Sequence, residues 1–418
     1  MRHFIQIFLS ITVLLSTAHI ALAEPAQHDL GHIDELRINP TLQLSEVLEK
    51  TYARHPRQAG IQSLDSVVSA RKLVASAILP TAPAVTLFHQ NDTLGSGRGE
   101  REWQADLELP IWLPKQRDNR LKVADASKSS VSASRESFKL QVAGQLRESL
   151  WDIAMNDNLL ELAVNQLKLT NQLQMDVEKR HQAGEMAKTD VMFAQQETLR
   201  AEKEKLRAEA EVMHARHRYY LLTGLRELPA NFEEKQSLLE NYYQSPIWLE
   251  AQSKVGLADS ERALAQVESS ENLQVSLNMR SIKGGFDNLP NESVGVRLRI
   301  PFGSEARAAP LKAAAEVGFG NALSEQESLK LALDAAMHES EHNLSVSRAE
   351  LKLASRQFDI AKESTRLAQK SFQLGESDLV SLLRVQAQTF GAERAFATRK
   401  IQLQWDIARY NQTVGVLP

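Results

Sequence analysis

Apolar positions along this chain follow two rhythms. Over most of its length they recur at three- and four-residue steps; in four short stretches they alternate with polar residues. Proline and glycine leave two unusually long tracts, Lys115 to Ala183, with only Gly144 inside it, and Ser304 to Leu374, broken only near its start. In the first, Leu146, Leu150, Ile153, Leu160, Val164 and Leu167 mark one helical stripe while Lys, Glu, Asn and Gln fill the other faces. A helix of that length extends about 100 Å. Each tract ends at a Gly turn, Ala183-Gly184-Glu185 or Leu374-Gly375-Glu376, and is followed by a helix about half as long. The pattern therefore predicts two antiparallel helical hairpins, over about 115–223 and 304–414. In the first returning helix Ala194, Ala201, Ala208 and Ala215 recur every seven residues. Two origins fit that recurrence: a small-residue seam for close coiled-coil packing, or the high helix propensity of alanine.

The alternating stretches precede the long helices as two predicted β-hairpins. Strands at about 84–90 and 102–111 flank a Gly-rich loop, and strands at about 272–280 and 293–302 flank a loop with Gly284, Gly285 and Pro290. Trp103, Ala105, Leu107 and Leu109 share one face, opposite Gln104, Asp106 and Glu108. The last strand repeats this, with Val294, Val296, Leu298 and Ile300 opposite Gly295, Arg297 and Arg299.

These features recur in register, so the chain contains an internal duplication. Leu109-Pro110-Ile111 aligns with Ile300-Pro301-Phe302, Gly184-Glu185 with Gly375-Glu376, and Gln195 with Gln386, all at one constant step; His55-Pro56 matches Ser245-Pro246 with a one-residue slip. The fold class expected is mainly α with a small β part, each repeat reading helix, β-hairpin, long helix, turn, shorter helix. Pro110 and Pro301 mark the strand-to-helix turns. The expected organisation is a secretory leader over 1–23, a first repeat over 24–223, a connector over 224–245 and a second repeat over 246–418. The leader rests on a basic start, an apolar run from Phe4 to Leu15 and the cleavage site Ala21-Leu22-Ala23.

Composition narrows the function classes. There is no cysteine, hence no disulfide, no thiolate metal site and no lipidated N-terminal cysteine. A formal net charge of -4 gives no global attraction to nucleic acid. No stretch after the leader is apolar enough to cross a bilayer as a helix, whereas strands of about ten residues are long enough when tilted. Unpaired strand edges are not tolerated in hydrocarbon, so several copies must share one barrel. Asp106, Glu108, Arg297 and Arg299 then line its lumen. Trp112 and Phe302 lie where an interfacial aromatic belt belongs. The competing reading is a small soluble sheet packed on a helical bundle.

The chain resembles the TolC-like outer-membrane factors of tripartite efflux systems over nearly all of its length after the leader. The resemblance is carried by Arg54-His55-Pro56 with Ala70, Ala75, Ala77 and Leu79-Pro80, by Pro110 and Pro301, and by the two tip glycines. It implies a homotrimer with a twelve-stranded outer-membrane barrel, continued by a helical tunnel through the periplasm of a Gram-negative bacterium. The duct is passive, needs no cofactor or catalytic residue, and meets a periplasmic adaptor (membrane fusion protein) and an inner-membrane pump. The connector at Gly224 to Ser245 and the segment His28 to Pro40 correspond to the family's equatorial region. Gly184, Glu185, Asp190, Gly375, Glu376, Asp378, Ser381 and Arg384 are the tip residues expected at the gate and adaptor contact. Carboxylates ringed there by symmetry would bind cations; equally, acids just after a turn are ordinary helix-start residues. One branch of the family carries aspartates six and nine residues after the second tip glycine, where this chain has Ser381 and Arg384. The segments Pro114-Lys115-Gln116-Arg117 and Arg307-Ala308-Ala309-Pro310 are more similar to the channels of heavy-metal cation exporters.

Other chemistry carries less weight. His338-Glu339-Ser340-Glu341-His342 fits the zinc-hydrolase pattern, but it lies inside a long helix with no third ligand in sight. His214 with His217, and His28 with His32, have spacings that suit weak metal binding or plain surface positions. A soluble periplasmic coiled-coil scaffold is the remaining alternative.

Overall fold

The computed structural model describes residues 36–303 and 305–418. The expected leader, the pair His28 and His32, and the segment before Leu36 lie outside the described residues. The order of elements is β1 (Arg37–Asn39), α1 (Leu44–Arg54), α2 (Gln58–Ser76), β2 (Ala84–Asn91), β3 (Arg101–Ile111), α3 (Gln116–Gln182), α4 (Lys188–Thr223), β4 (Glu227–Pro229), α5 (Pro246–Val267), β5 (Leu273–Lys283), β6 (Asn291–Arg299), α6 (Glu305–Gln373) and α7 (Leu379–Val414). The mainly α fold with a small β part is the one the sequence predicts.

The duplication holds to the residue at both ends of the returning helices. α4 and α7 are both 36 residues long. Gly184 and Gly375 both adopt positive φ at the tips, and Gly224 and Gly415 do so where the returning helices stop. At each tip the residue after the glycine donates back to the carbonyl five residues earlier, Glu185 to Arg180 and Glu376 to Ser371, which satisfies carbonyls the long helix leaves open. The two prolines of the slipped pair play different parts. Pro56 pushes His55 out of helical geometry (ψ 135) and ends α1, whereas Pro246 stands at the first turn of α5, where its missing N–H costs nothing.

β2, β3, β5 and β6 form one antiparallel sheet in that order, with β2 and β6 as its edges. β5 runs on to Lys283, beyond the expected end, and β6 stops at Arg299. Ile300, Pro301 and Phe302 therefore leave the sheet, because β5 begins at Leu273 and offers little beyond the Gln274 to Arg299 pair. Pro110, by contrast, lies within β3 opposite Gln274. The strand-to-helix turns are thus made beside the prolines, at Lys115 (φ 65) and Gly303 (φ 74), and not at Pro110 and Pro301 themselves. Just inside α3, the buried Gln116 ties sheet to helix. Its Nε2 donates to Glu268, and its Oε1 accepts from Leu113 N and Asn272 Nδ2.

The largest core lies where α1, α3, α4 and the connector meet. It contains Val47, Leu48, Phe138, Val142, Leu146, Leu150, Ile153, Ala215 and Tyr219. The apolar stripe predicted on α3 is buried at Leu146, Leu150 and Ile153, then surfaces: Leu160 and Leu167 are half-buried and Val164 is exposed. Ala194, Ala201 and Ala215 are fully buried and Ala208 half-buried, which favours the close-packing seam over propensity alone. The short parallel pair β1 and β4 fastens the start of the described chain to the connector.

Candidate functional site

The sheet has two faces of opposite chemistry, and the register fixes both. One face stacks Val85, Leu107, Leu277 and Val296 in one row across the four strands, Leu87, Ala105, Met279 and Val294 in the next, and Leu109, Val275 and Leu298 in a third. The other face carries Thr86, Asp106, Asn278 and Gly295, then Ala84, Glu108, Ser276 and Arg297, then Pro110, Gln274 and Arg299. The apolar face is the exposed one. Leu107, Leu277, Met279, Val294, Val296 and Leu298 all stand in the open, while Asp106 is only 6% exposed and Ser276 is buried. A water-soluble sheet covers its apolar face with other elements; here most of that face is left uncovered.

Asp106, Glu108, Arg297 and Arg299 thus share the polar face. Asp106 accepts from Gln104 Nε2 at 2.7 Å, and Arg280 donates to Glu102 at 2.6 Å on the same side. Phe88 and Ile282 also point to this face, so the polar lining is mixed.

The two helical tips lie side by side. Val177, Val191, Ala194, Phe372, Leu379 and Leu382 form one apolar cluster shared by both hairpins. Arg180 joins them by donating to the Phe372 carbonyl at 3.4 Å, with its guanidinium 5.2 Å from that ring. Arg180 also pairs with Glu185 at 3.1 Å, and His181 Nδ1 donates to the Met186 carbonyl at 2.8 Å. Asp190 and Asp378 serve the helix starts. Asp190 accepts from the N–H of Ala187 at 3.1 Å, and Asp378 accepts from the N–H of Ser381 at 2.7 Å. Ala187 and Asp378 are equivalent under the duplication, as are Asp190 and Ser381, so each repeat keeps one half of a reciprocal cap. The bonds from the Ser381 side chain and backbone, with the nearby Arg384 charge, hold the Asp378 carboxyl below its ordinary value. Glu376 and Arg384 are exposed at the same end.

A polar knot at the mid-height core was not legible in the sequence. Arg147, 2% exposed, grips Glu234 of the connector through two bonds of 2.7 Å. It also donates to Gln412 Oε1 at 2.6 Å and to the Val416 carbonyl at 2.9 Å. Asn411 joins by donating to Glu234 at 3.0 Å and to the Lys235 carbonyl at 2.9 Å. These partners are scattered over the first repeat, the connector and the chain end, so no local motif announces them.

Two of the histidine motifs lie on helix surfaces. His338, Glu339, Glu341 and His342 are exposed on α6, and among the described residues no three His, Cys, Asp or Glu side chains are grouped to hold a metal ion. His214 lies beside Glu211 on the α4 surface. No described helix is long and apolar enough to cross a membrane.

Residues 54–225 match the model of a family described as outer membrane efflux protein. The matched span runs from the end of α1 to just beyond α4. Among solved structures, the chain is similar to the outer membrane protein VceC from Vibrio cholerae, with TM-score 0.71 and 14% identity over 90% of this chain and 97% of that one. It is also similar to the Campylobacter jejuni CmeC outer membrane channel, with TM-score 0.68 and 12% identity over 89% and 85%. The open state of the Neisseria gonorrhoeae MtrE outer membrane channel gives TM-score 0.70 and 13% identity over 92% and 91%. No curated protein matches the sequence.

Proposed function

We propose that this chain, whose residues 54–225 match the outer membrane efflux protein family, is an outer-membrane channel component of efflux, and that three copies close one barrel and one helical tunnel into a passive exit duct. The observation that carries the reading is the sheet with its apolar face uncovered, its polar face opposite and two unpaired edges, β2 and β6. Those edges are satisfied in lipid when β6 of one copy pairs with β2 of the next. Eight strands leave an interior just wide enough for side chains, while the charged lining of Asp106, Glu108, Arg297 and Arg299 needs water. Twelve strands, three chains of four, is the next closed number.

In this duct the repeats over 24–223 and 246–418 are the two quasi-equivalent units of each protomer, joined by the 224–245 connector. The paired tips at Gly184 and Gly375 form the periplasmic entrance and the contact with an adaptor and its pump. Asp190 and Asp378 act there as helix caps, which leaves Glu376 and Arg384 as the charges available to line or gate the opening, with Glu185 held by Arg180. The substrate class remains the family's, efflux cargo, with heavy-metal cations as the finer reading from Pro114 to Arg117 and Arg307 to Pro310.

The decisive experiment is ion conductance of the detergent-extracted oligomer in planar bilayers, with its mass read by native mass spectrometry. Conducting trimers are expected. A water-soluble monomer without conductance would sink the channel and favour a periplasmic scaffold.

A further inference from the structure

We propose that the outward rim of the sheet, at Arg101 on β3 and Lys283 on β5, holds the phosphate-bearing headgroup of a membrane lipid. The proposal rests on the barrel reading above and names a ligand for a face that the channel itself does not use.

Arg101 and Lys283 are register partners on adjacent strands, on the same outward face as the apolar rows, and both are exposed. Like charges directly opposite each other on neighbouring strands repel. Neither takes an ion pair among the described residues. The nearby acids are engaged elsewhere or lie off the pair. Asp92 is turned onto its own loop, accepting from Ser96, Arg98 N and Gly99 N. Asp287 accepts from Gly284 N, and Glu102 pairs with Arg280 on the opposite face. Glu292 stands one row deeper on β6, opposite Ser281, and Glu100 is exposed in the β2–β3 loop. Two cations thus stand side by side with no ion pair among the described residues, and Glu292, on the same outward face, lies one row deeper.

Their depth says which anion. One row below lies Trp103, 59% exposed, with His89 stacked on it at 4.0 Å between ring centres. An exposed tryptophan beside an apolar band marks the boundary between hydrocarbon and headgroups. From Trp103 the apolar rows descend to Ile111, eight residues further, roughly 27 Å along the strand and about 20 Å once tilted, close to the band such barrels show. Arg101 and Lys283 then sit just above hydrocarbon, at the loop end of the sheet, away from the helices. A phosphate there meets a guanidinium fork and an ammonium, while acyl chains lie along Leu87, Ala105 and Met279. An amphiphile with a phosphate head satisfies both halves of the surface; a soluble anion satisfies only the upper one.

The test uses the full oligomer in detergent, with phosphatidic acid and diacylglycerol of the same chains as probes, and bound lipid counted by native mass spectrometry. Phosphatidic acid is expected to be retained over diacylglycerol. The Arg101→Gln/Lys283→Gln variant should lose that retention by about tenfold or more, while Arg297→Gln on the inner face leaves it unchanged. Arg101→Lys/Lys283→Arg, which keeps both charges, should keep the preference and guards against a folding defect in the first variant. Equal retention by the wild type and the Gln variant would overturn the proposal, as would displacement of the lipid by millimolar inorganic phosphate, the mark of a simple anion site. Conductance of the same samples separates the two readings. Conducting trimers without lipid preference refute only the headgroup site; absence of trimers and conductance refutes the duct as well.

Discussion

At Gly415 the backbone turns with φ 88, and a Cβ built there would lie 2.5 Å from the Cα of Ser245. Gly184 has a similar φ of 81 but opens onto empty space. The two glycines separate backbone strain from crowding. Gly184→Ala should cost only the left-handed penalty, about 1–2 kcal/mol, whereas Gly415→Ala must also displace backbone and should lower the apparent melting temperature at least twice as far. Thermal unfolding of both variants in detergent measures the difference. Arg147 is the other residue whose environment sets a magnitude. Removing it as Arg147→Met strands the nearly buried Glu234 carboxylate and should destabilise by about 3–5 kcal/mol. Changing Glu234 to Leu as well should recover most of that loss, because two apolar groups leave no unpaired charge. The melting temperatures of the single and double variants decide it.

Among the elements, the returning helices α4 and α7 depend on how they start. Both begin at a tip where the first N–H groups have no partner in the helix, and one aspartate answers at each. The Asp378 carboxyl titrates below its ordinary value of 3.8 because the Ser381 side chain and backbone stabilise its charge. A group with a lowered folded value stabilises the fold above its unfolded value and loses that contribution as pH falls through the folded one. Amide exchange at Leu379 to Leu382 should therefore be slower at pH 6 than intrinsic rates allow and lose protection below the ordinary aspartate range. Asp378→Asn, which still caps but does not titrate, should flatten that dependence. Exchange read by mass spectrometry over the α7 start, corrected for intrinsic rates, checks it; an unchanged pH profile in the variant would assign the protection to the Leu379 and Leu382 packing instead.

For the whole molecule, the face of the sheet on which a charge falls decides its cost. Leu107 and Thr86 lie in adjacent strands at nearly the same height, Leu107 outward and Thr86 inward. Arginine at the lipid face near the bilayer middle costs about 2–4 kcal/mol in such barrels, while lumen positions tolerate it. Leu107→Arg should accordingly reduce the trimer recovered from outer membranes severalfold, and Thr86→Arg should leave the yield near wild type and alter conductance. Similar yields for both would mean that the sheet does not face lipid.

The sequence alone determined the elements and their repetition, because helix and strand periods, Gly turns and the constant step are local properties of the chain. Gly184, Gly375 and both long helices could be placed within a residue or so for that reason. It also determined that one face of the last strand is apolar, which follows from alternation at Val294, Val296 and Leu298. Only the tertiary structure decided that this face is left uncovered, since alternation does not say which face of a sheet other elements cover. The same holds for the end of β6. Ile300-Pro301-Phe302 matches a strand end in the first repeat, yet leaves the sheet because its neighbour β5 runs out. The tip aspartates had two readings in sequence; only the tertiary structure brings the N–H of Ala187 and of Ser381 within reach of their carboxylates. Arg147 and Glu234 were invisible beforehand. Their bond joins residues 87 apart, and a contact of that separation leaves no period, spacing or motif in the chain from which it can be read.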